Sequence, residues 1–307
     1  MSIKLLLLVL SFTSGFVLNT PVNIYKRNYN KEIIKVYEPE MQDKKDMNAL
    51  IFYTGANSLI PADIYSNFIK ALNNYNFSVT VVTNDNIATN ELLYDIRDEY
   101  KNLIPLTHSS GYVSALQTIN KQKNIKKAVF LDPVDNSALI NTNLFDFFND
   151  KNNFNYLESL LVLNAEKSYK GSIFPKLEIP FIPAFALDLK KLEKTNPDLN
   201  INKISAENYG HSDVLDSLWS DLMHGSSISK GSENRDQSTM DEYVNWLANE
   251  IYEFVNEDSY EDSDENSDEN SDENSDENSV CSEEPIKELS NDYSRSILNL
   301  YNEDRYS

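Results

Sequence analysis

The apolar positions of this chain fall into short unbroken runs separated by stretches with helical spacing. Ile33, Ile34 and Val36 mark a first strand over Glu32–Tyr37, followed by a polar turn through Lys44 and Lys45. Ala49-Leu50-Ile51-Phe52-Tyr53 is apolar throughout, the pattern of a strand covered on both faces of a sheet. Ile64, Phe68, Ile69 and Leu72 share one side of a helix expected over Ala62–Asn74. A second covered strand is expected over Phe77–Thr83, and a helix over Asn86–Tyr100. Leu103-Ile104-Pro105-Leu106 forms the next run, in which Pro105 is awkward because it cannot donate to a ladder. That run ends at Thr107-His108-Ser109-Ser110-Gly111, and a helix-compatible segment begins at Val113. Ala128–Leu131 and Leu160–Leu163 read as further strands, the first ending on Asp132-Pro133-Val134-Asp135 and the second near Glu166. A short last strand, Lys203–Ser205, leads to Tyr209-Gly210-His211-Ser212-Asp213. Thr239–Val255 is expected to be a helix whose stripe of Tyr243, Leu247, Ile251 and Phe254 packs on the core. Thr239 and Glu242 have the spacing of a capping box at its start.

Strands that alternate with helices predict an α/β fold with a mostly parallel central sheet and helices on both faces, here over residues 30–256. In such sheets ligands bind at the carboxyl ends of the strands. The polar residues just named gather at those ends.

Charge changes the picture only locally. The 307 residues carry a formal charge of −22, but the stretch from Asn256 to Glu284 holds 14 acidic residues and no Lys or Arg. Ser-Asp-Glu-Asn repeats in tandem from Ser263 to Asn278, so residues 257–284 are expected to be a disordered acidic tract. Residues 285–307, with Ile297, Leu298, Leu300 and Tyr301, read as a short helical segment. The remainder is mildly acidic, which argues against nucleic acid as a partner, since backbone binding needs a basic footprint. The lone cysteine, Cys281, excludes a disulfide within the chain, and its acidic surroundings disfavour a catalytic thiolate. Residues 1–18 place Lys4 ahead of an apolar core interrupted by Ser11, Thr13, Ser14 and Gly15, and read as a secretory signal. The expected destination is the secretory pathway or the exterior. A plastid reached through a secretory leader is the alternative, because Ser14-Gly15-Phe16 resembles the cleavage region of such algal leaders. No later stretch is long and apolar enough to span a bilayer.

Candidate chemistry centres on the turn at Ser109. A serine at a sharp strand-to-helix turn exposes its hydroxyl above the sheet, and Ser109 with Gly111 gives the second half of G-x-S-x-G. Thr107 stands where the leading glycine would be. Ester hydrolysis by serine also needs a base, an acid that orients it, and donors for the oxyanion. Of the three histidines, His108 adjoins the serine and is expected to point elsewhere, and His224 lies in a polar stretch. His211 follows the last strand. Serine, acid and histidine thus occur at strand ends in the chain order of α/β-hydrolases.

The wording of these segments resembles one family. Gly210-His211-Ser212-Asp213-Val214-Leu215-Asp216 is similar to the G-H-x-D-x-L-D segment of chlorophyllases, and Leu131-Asp132-Pro133-Val134-Asp135 to their I-D-P-V-D/A-G. Thr107-His108-Ser109-Ser110-Gly111 resembles their G-H-S-R-G-G, and the strands from Val36 and Ala49 their opening strands. The resemblance runs from about Glu32 to Asp216 and extends to esterases like platelet-activating-factor acetylhydrolase. It implies an α/β-hydrolase fold, a serine esterase working without metal or organic cofactor, and an apolar ester as substrate. The aromatic-rich region between Phe145 and Phe185 would supply a cap or pocket wall. Under that resemblance Ser109 is the nucleophile, His211 the base and Asp132 the acid, with Asp135 next in line and Glu166 the choice if the acid sits one strand later. The oxyanion donors would be the Ser110 N–H and one from Gly55 or Ala56. The departures at Thr54, Thr107 and Ser110 leave a second reading: a non-catalytic binding or scaffold protein on a degenerate hydrolase fold, engaging a protein partner through the acidic tail.

Overall fold

The computed structural model describes residues 22–29, 32–40, 43–82, 86–134, 156–168, 189–225, 232 and 235–257. The expected leader, Asp135, residues 145–155 and 169–185 of the aromatic-rich region, the acidic tract beyond residue 257 and the C-terminal segment lie outside them. The strands are β1 (Val22–Tyr29), β2 (Glu32–Pro39), β3 (Asn48–Tyr53), β4 (Ser78–Val81), β5 (Asn102–His108), β6 (Lys127–Leu131), β7 (Ser159–Ala165) and β8 (Asn200–Ala206). The helices are α1 (Gly55–Ser58), α2 (Ser66–Asn74), α3 (Asn86–Ile96), α4 (Tyr112–Lys121), α5 (Lys190–Thr195), α6 (Ser217–Gly225) and α7 (Gln237–Asn256).

One eight-stranded sheet runs in the order β1-β2-β4-β3-β5-β6-β7-β8. β2 pairs antiparallel with both β1 and β4, and every other pairing is parallel. The apolar runs are unbroken because alternate residues enter opposite cores. Leu50 and Phe52 of β3 pack with Phe68 and Leu72 of α2 and with Leu247 and Ile251 of α7. Ala49, Ile51 and Tyr53 of the same strand pack with Leu92, Leu93 and Ile96 of α3. On that second face α4 covers β6 and β7 through Leu116, Phe130 and Val162. Each fully buried Phe or Leu contributes about 1.5–3 kcal/mol, so these two apolar layers fix which side chains point inward.

Several expectations shift in detail. β1 precedes the strand expected to be first, so the sheet starts ahead of residue 30. Its residues are exposed or half-buried, and its place comes from pairing with β2 and from an Arg27–Glu99 ion pair, at 2.7 Å, rather than from burial. An apolar pattern could not reveal it. The helix expected over Ala62–Asn74 opens with a 3-10 turn, Ala62–Tyr65, before α2. α3 ends at Ile96, short of Tyr100. α7 begins before Thr239, because the Asp236 side chain caps it by accepting the Thr239 N–H at 2.8 Å; Thr239 lies inside the first turn. Pro105 sits opposite Ile51 of β3, and the ladder from β5 to β6 starts only at Leu106. The missing donor therefore falls where that second ladder has not begun.

The amino ends of the parallel strands carry a polar cluster. Buried Glu38 meets Lys44 Nζ at 2.8 Å and the Tyr100 hydroxyl. Lys44 lies 3.5 Å from Glu99, which Arg27 holds through two hydrogen bonds of 2.7 and 3.1 Å. No helix among the described residues is long and apolar enough to cross a membrane.

Candidate active site

β5 delivers the chain to a tight turn at the carboxyl end of the sheet. Ser109 has φ 57°, in the left-handed region, then a 3-10 turn over Ser109–Gly111 leads into α4. Gly111 is required by crowding: a Cβ there would lie 2.3 Å from the Tyr53 carbonyl oxygen and 2.5 Å from that of Thr54. The end of β3 thus presses directly on the turn. Thr107, in the place of a leading glycine, is fully buried, and its hydroxyl has no hydrogen-bond partner among the described residues.

The turn after β8 brings His211 to this serine. His211 Nε2 lies 2.9 Å from Ser109 Oγ, and its Nδ1 lies 2.5 Å from Asp132 Oδ2. A carboxylate can only accept, so Nδ1 carries the proton and Nε2 is left to accept from the serine hydroxyl. Asp132 follows β6 with φ 42°. Its N–H donates to the Leu163 carbonyl at 2.7 Å, and its Oδ1 accepts the Ala165 N–H at 3.0 Å. β7 therefore aims this carboxylate. Of the three candidate acids, Asp132 is the one that meets the His211 ring. Glu166 opens the single turn after β7, and Asp135 lies outside the described residues.

The two aspartates that follow His211 frame its loop. Asp213 is fully buried and accepts the N–H groups of Gly210 at 2.8 Å and Ser232 at 2.6 Å, plus the Ser220 hydroxyl at 3.2 Å. Burial pushes its carboxyl above the usual range, against the pull of those bonds and of Arg235. Asp216 reaches across to α2, accepting the Asn67 N–H at 2.9 Å and the Ser66 hydroxyl. Burial raises its carboxyl too.

Two assignments made from sequence need correcting. His108 does not point away: its ring stacks on His211 with centroids 4.7 Å apart at 29°. Its Nδ1 lies 2.8 Å from Tyr65 Oη and its Nε2 3.1 Å from the His211 carbonyl oxygen. A residue next to Ser109 would ordinarily alternate to the other side, but the abrupt turn at Ser109 breaks that alternation. Gly55 is not an open oxyanion donor either, because its N–H donates to Tyr65 Oη at 3.0 Å. Ala56, exposed and with φ 52°, is the remaining loop candidate; Ser110 is buried in the turn after Ser109. Tyr65 carried no local signal, since its partners lie 10 and 43 residues away. Nearby, Tyr209 stacks on Tyr243 at 4.1 Å and 12°, and burial lifts the Tyr243 phenol well above its ordinary value.

Strand order, the turn at Ser109 and the loop carrying His211 together make this an α/β-hydrolase fold. No family model matches the chain, and no curated protein matches it. Solved structures similar to it include the esterase domain of a Rhodothermus marinus protein, at 8% identity and TM-score 0.49, covering 77% of this chain and 98% of that one. Est1E from Butyrivibrio proteoclasticus gives 10% and 0.47, with 76% and 98% covered. A thermostable esterase from Pseudomonas putida gives 15% and 0.47, with 81% and 90% covered.

Proposed function

We propose that the chain is a serine hydrolase of carboxylic esters. The observation that carries this reading is the continuous line from Ser109 Oγ through the His211 ring to Asp132, with steps of 2.9 and 2.5 Å. In the first half-reaction the Ser109 oxygen bonds to the ester carbonyl carbon as its proton passes to His211 Nε2. The carbonyl π electrons move to oxygen, where the N–H groups of Ser110 and Ala56 are the donors this reading assigns. Collapse of that intermediate breaks the bond to the alcohol, which leaves with the proton held by His211. Water then repeats both steps on the acyl-serine and restores the serine hydroxyl. Asp132 holds the ring in the tautomer this needs and balances the imidazolium as it forms.

Within this class we place the substrate among apolar esters, a reading supported by the resemblance to chlorophyllases and by the aromatic content of residues 145–185. A graded series of p-nitrophenyl esters tests both levels. Turnover should be present in the parent and lost by at least about 10³-fold in Ser109→Ala and in His211→Ala, with the longer acyl chains preferred. No turnover by the parent, together with no labelling of Ser109 by a fluorophosphonate, would replace this reading with the non-catalytic scaffold.

A further inference from the structure

Beneath the serine–histidine line lies a second hydrogen-bonded line that the reaction above leaves unused. It runs from the Gly55 N–H to Tyr65 Oη at 3.0 Å, on to His108 Nδ1 at 2.8 Å, and from His108 Nε2 to the His211 carbonyl oxygen at 3.1 Å. One arrangement of protons satisfies all three contacts. The carbonyl oxygen of His211 can only accept, so His108 Nε2 carries a proton. A neutral ring then has a bare Nδ1, which accepts the Tyr65 hydroxyl proton. The tyrosine oxygen keeps its lone pairs for the Gly55 N–H. A charged His108 would instead make the fully buried Tyr65 oxygen accept twice, with its own proton left over.

We propose that Tyr65 and His108 are positioning residues: the tyrosine hydroxyl locks His108 as the neutral Nε2–H tautomer, whose donor tethers the His211 backbone and whose uncharged ring lies against the His211 imidazole. The kinetic part of this inference rests on the ester-hydrolase reading. The geometry gives the lock a purpose. With ring centroids 4.7 Å apart, a cation at position 108 would oppose the charge that His211 must take up. The groups that bear on the ring are Tyr65, His211 and Asp132; burial, reinforced by His211, holds His108 down to about 3, with Asp132 opposing. The same hydroxyl also holds the Gly55 N–H, so the backbones of the loop after β3 and of the loop carrying His211 are joined through the side chains of Tyr65 and His108.

The chain has three histidines, His108, His211 and His224, so ¹⁵N-histidine NMR of the whole protein distinguishes every ring. His108 should show a protonated Nε2 and a bare Nδ1, unchanged from about pH 8 to about pH 5. Tyr65→Phe removes one oxygen and should release His108 to its other tautomer or to protonation within that range. It should also lower kcat about tenfold with KM within about twofold. His108→Gln, which keeps a donor for the His211 carbonyl, should retain more of kcat than His108→Ala. A parent His108 in the Nδ1–H form, or one that takes up a proton within that range, would overturn the proposal, as would Tyr65→Phe with the parental kcat. Should the parent hydrolyse no ester and take no fluorophosphonate, the ester reading falls, and the NMR spectrum alone decides the tautomer.

Discussion

At the amino ends of the parallel strands, Glu38 is 4% exposed and is met by Lys44 and by the Tyr100 hydroxyl. At the carboxyl ends, Asp132 is 3% exposed and is met by an imidazole that leads on to a serine. Both clusters bury a carboxylate at an end of one sheet, yet under the proposed function they serve opposite purposes. Arg27 pairs with Glu99, and Lys44 with both Glu38 and Glu99, in contacts whose role needs no proton to move. Along the line from Ser109 through His211, the proposed reaction moves the serine proton to Nε2, while Asp132 only accepts from Nδ1. What separates a structural polar cluster from a reactive one is thus the mobility of its charge, rather than its burial.

The largest effect that would test this contrast is on turnover. Asp132→Asn keeps an oxygen for the Ala165 N–H but offers His211 the wrong partner, so kcat should fall on the order of 10⁴-fold with little change in thermal midpoint. An equal loss of stability would show that the two ends are alike. Glu38→Gln is the mirror experiment: urea denaturation should report about 2 kcal/mol of lost stability, with ester turnover unchanged. Acid should also separate the ends. His108 is neutral in the fold down to about 3, whereas the unfolded chain takes up that proton below its ordinary value of 6.5. Stability therefore falls as pH drops from 6.5 towards 3, at up to about 1.4 kcal/mol per unit. Glu99, held below its usual 4.5 first by Arg27, contributes stability above 4.5 that is lost only as pH falls beneath it. Between those two values the slope should be shallower in His108→Gln than in the parent, as read by denaturation at stepped pH. The smallest effect concerns Thr107. Thr107→Val removes a buried hydroxyl without a partner among the described residues, and should raise stability by about 1 kcal/mol in the same assay.

The parts that were legible in the sequence are those that burial dictates. β3, β5, β6 and β7 stand out because both faces are covered, and the polar residues at their ends are conspicuous against that background. Ser109 and His211 drew notice because serine, acid and histidine follow strand ends in the chain order of α/β-hydrolases. β1 could not be found, since it is half-exposed and held by its neighbour. Nor could the second line: Tyr65 is one of 18 tyrosines, and only the fold brings it to His108. Asp132 was already first of the three carboxylates under the family resemblance, but how it is aimed was not legible, because β7 sets its direction through the Leu163 carbonyl and the Ala165 N–H. Asp213 and Asp216, read from sequence as part of a family motif, prove to be the frame of the histidine loop.

The left-handed backbone at Ser109 also restricts the site's evolutionary neighbours. At φ 57° a side chain with a single γ atom is tolerated, while a β-branched one is not. Cysteine and alanine are therefore open to this position, which under the proposed function would give an exchanged nucleophile or a silent descendant in one step, whereas threonine is barred by the main chain. Asp132, at φ 42°, is restricted in the same way, since Asp and Asn are the side chains that visit such backbone most readily. The serine and the acid, at the two ends of the line through His211, are thus confined to short side chains by the shape of the peptide beneath them.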